Sequence, residues 1–211
     1  MKASRNPCAR AARRQAFATC WAEAEERIEL GDDTALAGQI LILSGHPGSG
    51  KTTTAESLAR MPSVPKVHLH SDDFWGYIKA GHIDPWLPEA DRQNRMIARI
   101  VADVAGLYAR EGYFVVLDGV VRPWWLPHFT PTGLPTHYIV LRTSLHEAVR
   151  RCAARGGDSL SDPAVVADLH NQFTDLGRYE RHALAVSART HQQVMAAVLA
   201  ALGAETHRLQ D

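Results

Sequence analysis

Ile40-Leu-Ile-Leu-Ser-Gly-His-Pro-Gly-Ser-Gly-Lys-Thr52 passes from an apolar run into Gly-x-x-x-x-Gly-Lys-Thr. The apolar run predicts a buried strand, and Thr52-Thr-Thr-Ala-Glu-Ser-Leu-Ala-Arg60 predicts a helix, so the glycines occupy a strand-to-helix turn. Gly45, Gly48 and Gly50 permit torsions closed to residues with a Cβ. Successive backbone N–H groups can then turn inward around an anion, and the positive end of the following helix dipole points the same way. This spacing makes Gly45, His46, Pro47, Gly48, Ser49, Gly50, Lys51, Thr52 and Thr53 candidate nucleotide-binding residues. Lys51 is expected to reach the outer phosphates, and the Thr52 hydroxyl to hold Mg²⁺.

Outward from this loop, apolar strands alternate with helices. Strands are expected at 40–44, 66–70, 113–118, 136–142 and 184–187, with helices between them at about 50–60, 89–111, 144–155 and from Pro163, and a last one over 189–202. Unbroken apolar strands in such alternation predict an α/β fold: a three-layer sandwich with a parallel five-stranded sheet and helices on both faces. In these sheets ligands bind beyond the carboxyl ends of the strands. That rule gathers Gly45–Thr52, Asp72, Asp73, Asp118–Arg122 and Arg142 at one edge.

The chain has 211 residues, 45% of them hydrophobic, enough for one domain with a buried core. Lys+Arg and Asp+Glu number 23 each, so no net field draws the chain to nucleic acid or an anionic membrane. Cys8, Cys20 and Cys152 are scattered and odd in number, which predicts a reducing cytoplasm rather than a disulfide framework. Residues 1–37 begin basic and turn acidic; they read as an N-terminal extension, helical or partly disordered, ahead of a domain over 38–211. Gly156-Gly157 interrupts that domain within a lid-like segment near 150–162.

Four further groups carry chemistry. Asp118 ends the strand Tyr113-Phe-Val-Val-Leu-Asp118, where a carboxylate orders a Mg²⁺ shell. Asp72 and Asp73 follow the second strand, with Asp72 the candidate base for an acceptor hydroxyl and Asp73 a metal-shell or substrate contact. One of the two could instead cap a helix beginning at Phe74. Arg122 lies four residues past Asp118 and suits an anionic acceptor or a transferring phosphoryl group. Arg150, Arg151 and Arg155 close a helix before the glycine pair, where Arg151 or Arg155 could neutralise developing charge. Trp75 and Trp124 are candidate acceptor-pocket walls, beside Trp86 and Trp125, with plain core residues as the alternative. His68 and His70 share one strand face, as core or wall, with His70 the nearer to the chemistry.

The loop Gly45–Thr52, the segment Leu69-His-Ser-Asp-Asp73, the Asp118 strand and Val149-Arg-Arg-Cys-Ala-Ala-Arg155 together resemble the small P-loop kinase group: gluconate kinase, shikimate kinase, chloramphenicol phosphotransferase and the zeta-toxin-like kinases. The chain is also similar to adenylate-kinase-like bacterial P-loop proteins. The likeness covers about residues 38–202 and implies a P-loop NTPase-type fold. It further implies ATP and Mg²⁺ as cofactors and transfer of the γ-phosphoryl group to a hydroxyl of a small-molecule acceptor. Two departures stand out. Several relatives carry Asp-x-Asp after the second strand, where this chain has His70-Ser71-Asp72. Asp118-Gly-Val-Val-Arg122 keeps the spacing of the Asp-Gly-Phe-Pro-Arg element of nucleoside monophosphate kinases without its Phe and Pro. A nucleoside monophosphate kinase and a non-enzymatic nucleotide switch therefore stand as alternatives.

Overall fold

The computed structural model of the protein describes residues 33–155 and 162–209. The expectations for residues 1–32 of the extension and for 156–161 of the lid-like segment fall outside the described residues.

The sheet is built from β1 (Ile40–Ser44), β2 (Lys66–His70), β3 (Phe114–Gly119), β4 (Thr136–Arg142) and β5 (Ala183–Ala185). Their order is β2-β3-β1-β4-β5, and every neighbouring pair is parallel. The helices are α1 (Lys51–Arg60), α2 (Ser71–Gly76), α3 (Asp91–Arg110), α4 (Leu145–Arg155), α5 (Pro163–Asn171) and α6 (His191–Gly203). Each connection between parallel strands must cross a face of the sheet; α-helices make the crossing everywhere but between β3 and β4, where the 3-10 segments Pro123–His128 and Thr130–Thr132 do so.

All five residues of β1 are buried, as a central strand covered on both faces requires. Its alternate residues Ile40 and Ile42 join Val115, Leu117, Tyr138 and Val140 in a core that also takes Ile97, Ala98, Val101, Ala102 and Ala105 from α3. Leu41 and Leu43, which point to the opposite face by the period of a strand, are equally inaccessible. Helix α3 has its buried positions at 94, 97, 98, 101, 102 and 105, the spacing of one helical stripe.

Several boundaries differ from the sequence expectation, three of them near the site or the last helix. Helix α2 begins at Ser71 rather than Phe74, so Asp72 and Asp73 lie in its first turn, and His70 holds the cap position. The last strand is Ala183–Ala185, earlier than 184–187; beyond it the Ser187 hydroxyl accepts the Ser144 N–H at 3.0 Å. Helix α6 starts at His191 because Thr190 and Gln193 form a reciprocal capping box before it.

Candidate nucleotide and acceptor site

Strand order reverses at β1, whose neighbours β3 and β4 lie on its two sides, so a crevice opens at its carboxyl end. The loop Gly45–Gly50 fills that position. Gly48 and Gly50 adopt φ of 77° and 93°, and a Cβ at Gly48 would stand 2.6 Å from the Ala148 carbonyl oxygen. Gly45 is as constrained, since a Cβ there would stand 2.4 Å from the Leu141 carbonyl oxygen. Helix α1 starts at Lys51 with no side chain capping its first amides, which leaves those donors for an anion. Lys51 is buried, and Thr53 is exposed. Ser49 is buried with its hydroxyl unpartnered among the described residues.

Asp118 sits at the centre of the crevice floor and is wholly inaccessible. Its Oδ2 accepts the Thr52 hydroxyl at 2.6 Å. Its Oδ1 accepts His68 Nε2–H at 2.7 Å and His70 Nδ1–H at 3.0 Å. Register explains the meeting: His70 stands opposite Asp118, and His68, two residues earlier, shares its face. Burial pushes the Asp118 carboxyl upward, but hydrogen bonds from His68, His70 and Thr52 outweigh it and hold the group well below the carboxylate range. The same bond to Asp118 raises His70 above its ordinary value, against burial, with Asp72 and Asp73 adding to the rise. The other ring nitrogen of His70, Nε2, lies 3.6 Å from Asp72 Oδ2. Asp72 is 59% exposed at its side chain, and Asp73 is exposed beside it.

On the β4 side the loop is held by its own residues. His46 is fully buried; Nδ1–H donates to the Pro47 carbonyl at 2.8 Å, and Nε2 accepts the Thr143 N–H at 3.1 Å. Burial lowers this imidazole from 6.5 to about 4, so it stays neutral. Both ring nitrogens are thus spent on the protein, and any contact of His46 with a nucleotide runs through its backbone. The Thr143 hydroxyl donates to Glu147 Oε2 at 2.6 Å, Glu147 Oε1 accepts from Arg151 Nη2, and Arg151 Nη1 donates to the Gly48 carbonyl at 3.1 Å. His46, Thr143, Glu147, Arg151 and Gly48 therefore close a ring around the loop. Arg155 ends α4.

Arg122 follows β3. Its Nη1 donates to Gln172 Oε1 at 2.5 Å, its guanidinium lies 5.6 Å from the centre of the Trp124 ring, and its Nε is buried without a partner among the described residues. Burial lowers its pKa while Asp168 opposes the shift. Trp124 is 38% exposed, but Trp75 is 8% exposed. Trp75 packs against Trp125 at 5.7 Å and donates its Nε1–H to Asn94 Oδ1 at 3.0 Å. The sequence expectation of a wall residue at Trp75 thus meets a residue of the core. Arg142 at the end of β4 is paired with Glu180 at 2.6 Å.

The structure brings Gly45–Thr52, Asp118, Arg151 and the α2 acids to the sheet edge that sequence reasoning named. It sets His68 and His70, read from the sequence as core or wall, on Asp118, and adds Thr143, Glu147, His170 and Gln172, which come from loops and helices brought in by long-range packing.

A model of the AAA domain family matches residues 40–176. The chain is 32% identical over 120 residues to a cytidylate kinase of Pyrobaculum calidifontis, a match covering 57% of this chain and 62% of that protein. A cytidylate kinase of Pyrobaculum aerophilum is 29% identical over 133 residues, covering 58% and 64%. The matched stretch thus spans less than two thirds of either relative. Among solved structures, a gluconokinase from Sinorhizobium meliloti 1021 superposes with a TM-score of 0.58 at 17% identity, covering 80% of this chain and 95% of its own. A sugar kinase from Janibacter sp. gives 0.60 at 15%, covering 78% and 93%. The tunicamycin resistance protein of Deinococcus radiodurans gives 0.56 at 20%, covering 78% and 94%. At these identities the superpositions establish a shared fold.

Proposed function

This chain belongs to the AAA domain family, and we propose that it is an ATP- and Mg²⁺-dependent phosphotransferase that moves the γ-phosphoryl group of ATP onto a hydroxyl of a small molecule. The observation that carries the reading is the pair Thr52 Oγ1–Asp118 Oδ2 at 2.6 Å, set under a glycine loop whose helix leaves its first amides uncapped. Hydroxyl and carboxylate oxygens are hard donors suited to Mg²⁺. Among the described residues no cluster of three or more His, Cys, Asp or Glu could hold a metal. When bound, Mg²⁺ would neutralise phosphate charge; Thr52 would hold it, with Asp118 fixing Thr52.

The loop amides and Lys51 would cradle the phosphates. Asp72, exposed at the edge of the crevice, would take the proton of the acceptor hydroxyl. Arg122 would face the acceptor or the transferring group, and Asp73 and Trp124 would border the acceptor. Arg151 already touches the loop and would neutralise developing charge there, with Arg155 the second candidate. Most of the rate would come from positioning and electrostatics. ATP is favoured over GTP because the chain has no Asn-Lys-x-Asp. Three scattered cysteines fit a cytoplasmic setting, and no helix among the described residues is long and apolar enough to cross a membrane.

Incubation with MgATP and a bacterial small-molecule extract, read by mass spectrometry, tests this. The expected product gains one phosphoryl group with wild type and is absent with Asp72→Asn. A product formed equally by both would remove Asp72 as the base. The Pyrobaculum relatives, named cytidylate kinases, favour a nucleoside monophosphate acceptor as the second reading. A coupled assay with the common monophosphates that shows no turnover above ATP hydrolysis eliminates it.

A further inference from the structure

We propose that α5 links the two halves of the site, and that His170 and Gln172 are positioning residues through which a nucleotide in the glycine loop sets the acceptor-side guanidinium of Arg122. The inference rests on the phosphotransferase reading and adds to it a path between its two substrates.

Helix α5 is firmly started: Asp162 accepts the Ala164 N–H at 2.8 Å, and Pro163 takes the first helical position, where no N–H is needed. Its far end touches both halves. The His170 ring lies 4.4 Å from the His46 ring, centre to centre, and its Nε2–H donates to the Thr143 carbonyl at 2.9 Å. Thr143 in turn gives its N–H to His46. Both backbone polar groups of Thr143 are therefore held by imidazoles, one from the loop and one from α5. Two residues on, Gln172 accepts from Arg122 Nη1 and donates its own Nε2–H to Asp168 Oδ2 at 2.8 Å. That second bond fixes which end of the amide faces Arg122.

The backbone beside Arg122 is anchored independently of α5. The Val121 carbonyl accepts the Ser44 hydroxyl at 2.6 Å and the Tyr138 hydroxyl at 2.8 Å. What Gln172 controls is the guanidinium, and that group lies over Trp124. Any change in its placement alters the electrostatic environment of the indole. Trp124 is thus a built-in reporter of Arg122, on the acceptor side, while the nucleotide binds on the other. A contiguous set of contacts does not by itself prove coupling, so the test reads coupling directly.

The full chain is labelled with 5-fluorotryptophan, and the Trp124 resonance is assigned by its loss in Trp124→Phe. MgADP is titrated in, with binding followed in parallel by calorimetry. In wild type the Trp124 resonance moves with the midpoint of MgADP binding. In Gln172→Ala, MgADP binds within about threefold of wild type but Trp124 no longer moves. Gln172→Glu combined with Asp168→Asn, which keeps an acceptor for Arg122 and supplies a donor from position 168, restores the movement. His170→Phe keeps a ring against His46, loses the bond to Thr143 and weakens MgADP about tenfold. Should His170→Phe fail to fold, the Gln172 pair decides alone.

An unmoved Trp124 in wild type that binds MgADP overturns the inference and leaves the phosphotransferase reading intact. Equal movement in Gln172→Ala overturns it as well, because the signal then reaches Trp124 through the Val121 anchor or directly. Wild type that binds no MgADP removes both readings together.

Discussion

The two flanks of β1 are built on different plans. On the β4 flank the glycine loop is closed by a ring of bonds from His46 through Thr143, Glu147 and Arg151 back to Gly48. On the β2 flank Asp72 and Asp73 are exposed, and Tyr77, Trp86 and Trp124 are 69%, 43% and 38% exposed. A cradle that receives the same phosphates in every turnover gains from being preformed, since no ordering cost remains at binding. On the proposed reading the other flank recognises the acceptor, and its side chains lie at the surface, where substitution costs the fold little. On that reading the difference separates what holds the protein together from what makes it selective.

The hardest blow to this division is a side chain inside the cradle. Gly48→Val would place its Cβ against Ala148 backbone atoms, at a φ of 77° that valine resists. Removing the clash means moving α4, and with it Arg151. The expected outcome is a loss of MgADP affinity of about a hundredfold or more by calorimetry. Retention of wild-type affinity would mean that the ring around the loop is dispensable, and the contrast between the flanks would fall.

A titration sharpens the comparison at intermediate size. His46 has its pKa lowered from 6.5 to about 4 by burial, against the bond to Pro47. As pH falls through 6.5 the unfolded chain takes up this proton and the folded chain does not. Stability is therefore lost between pH 6.5 and 4 and is level below that, at a cost of at most about 3 kcal/mol. His137 is lowered to about 4 as well, so it contributes a parallel loss that a change at position 46 leaves in place. Urea midpoints measured across this range are expected to fall steeply for wild type and less steeply for His46→Gln. Identical slopes would show that the neutral imidazole is no part of what holds the cradle.

The cradle was also the part legible in the sequence. Gly45, Gly50, Lys51 and Thr52 are fixed in spacing by the geometry of a phosphate, so a short local pattern suffices to find them. Strand and helix alternation gave all five strands, since β1, β3 and β4 each carry an unbroken apolar run of four residues, Ile40–Leu43, Phe114–Leu117 and Tyr138–Leu141. The ring and the link through α5 were not legible. His46 meets Thr143 across 97 positions, and Arg122 meets Gln172 across 50; no local periodicity carries such pairings. Trp75 misled because composition cannot separate a wall tryptophan from a core one. Its burial depends on packing against Trp125 and the bond to Asn94, contacts across 50 and 19 positions that no local pattern carries. His68 and His70 lie between these cases: their alternation announced a shared face, but only the register of β2 on β3 showed that Asp118 waits there.

The smallest effect is the most discriminating, because the two tryptophans sit in one continuous aromatic row. Trp75 stacks near Trp125, and Trp125 near Trp124 at 5.6 Å. If the flanks differ as argued, truncating the two ends of the row should differ sharply. Trp75→Ala removes a buried indole and strands Asn94 Oδ1 without its donor, at about 3–5 kcal/mol of stability. Trp124→Ala removes a partly exposed ring that touches Arg122 and Trp125, at about 1–2 kcal/mol for a cation–π contact and an aromatic contact at the surface. Urea unfolding of the two variants beside wild type measures both. Similar losses would make Trp124 a structural residue of the core row, and the acceptor side would then have to lie elsewhere. A small loss for Trp124→Ala leaves its ring and the Arg122 guanidinium available for recognition, held in place by Gln172 and the Val121 anchor rather than by the core.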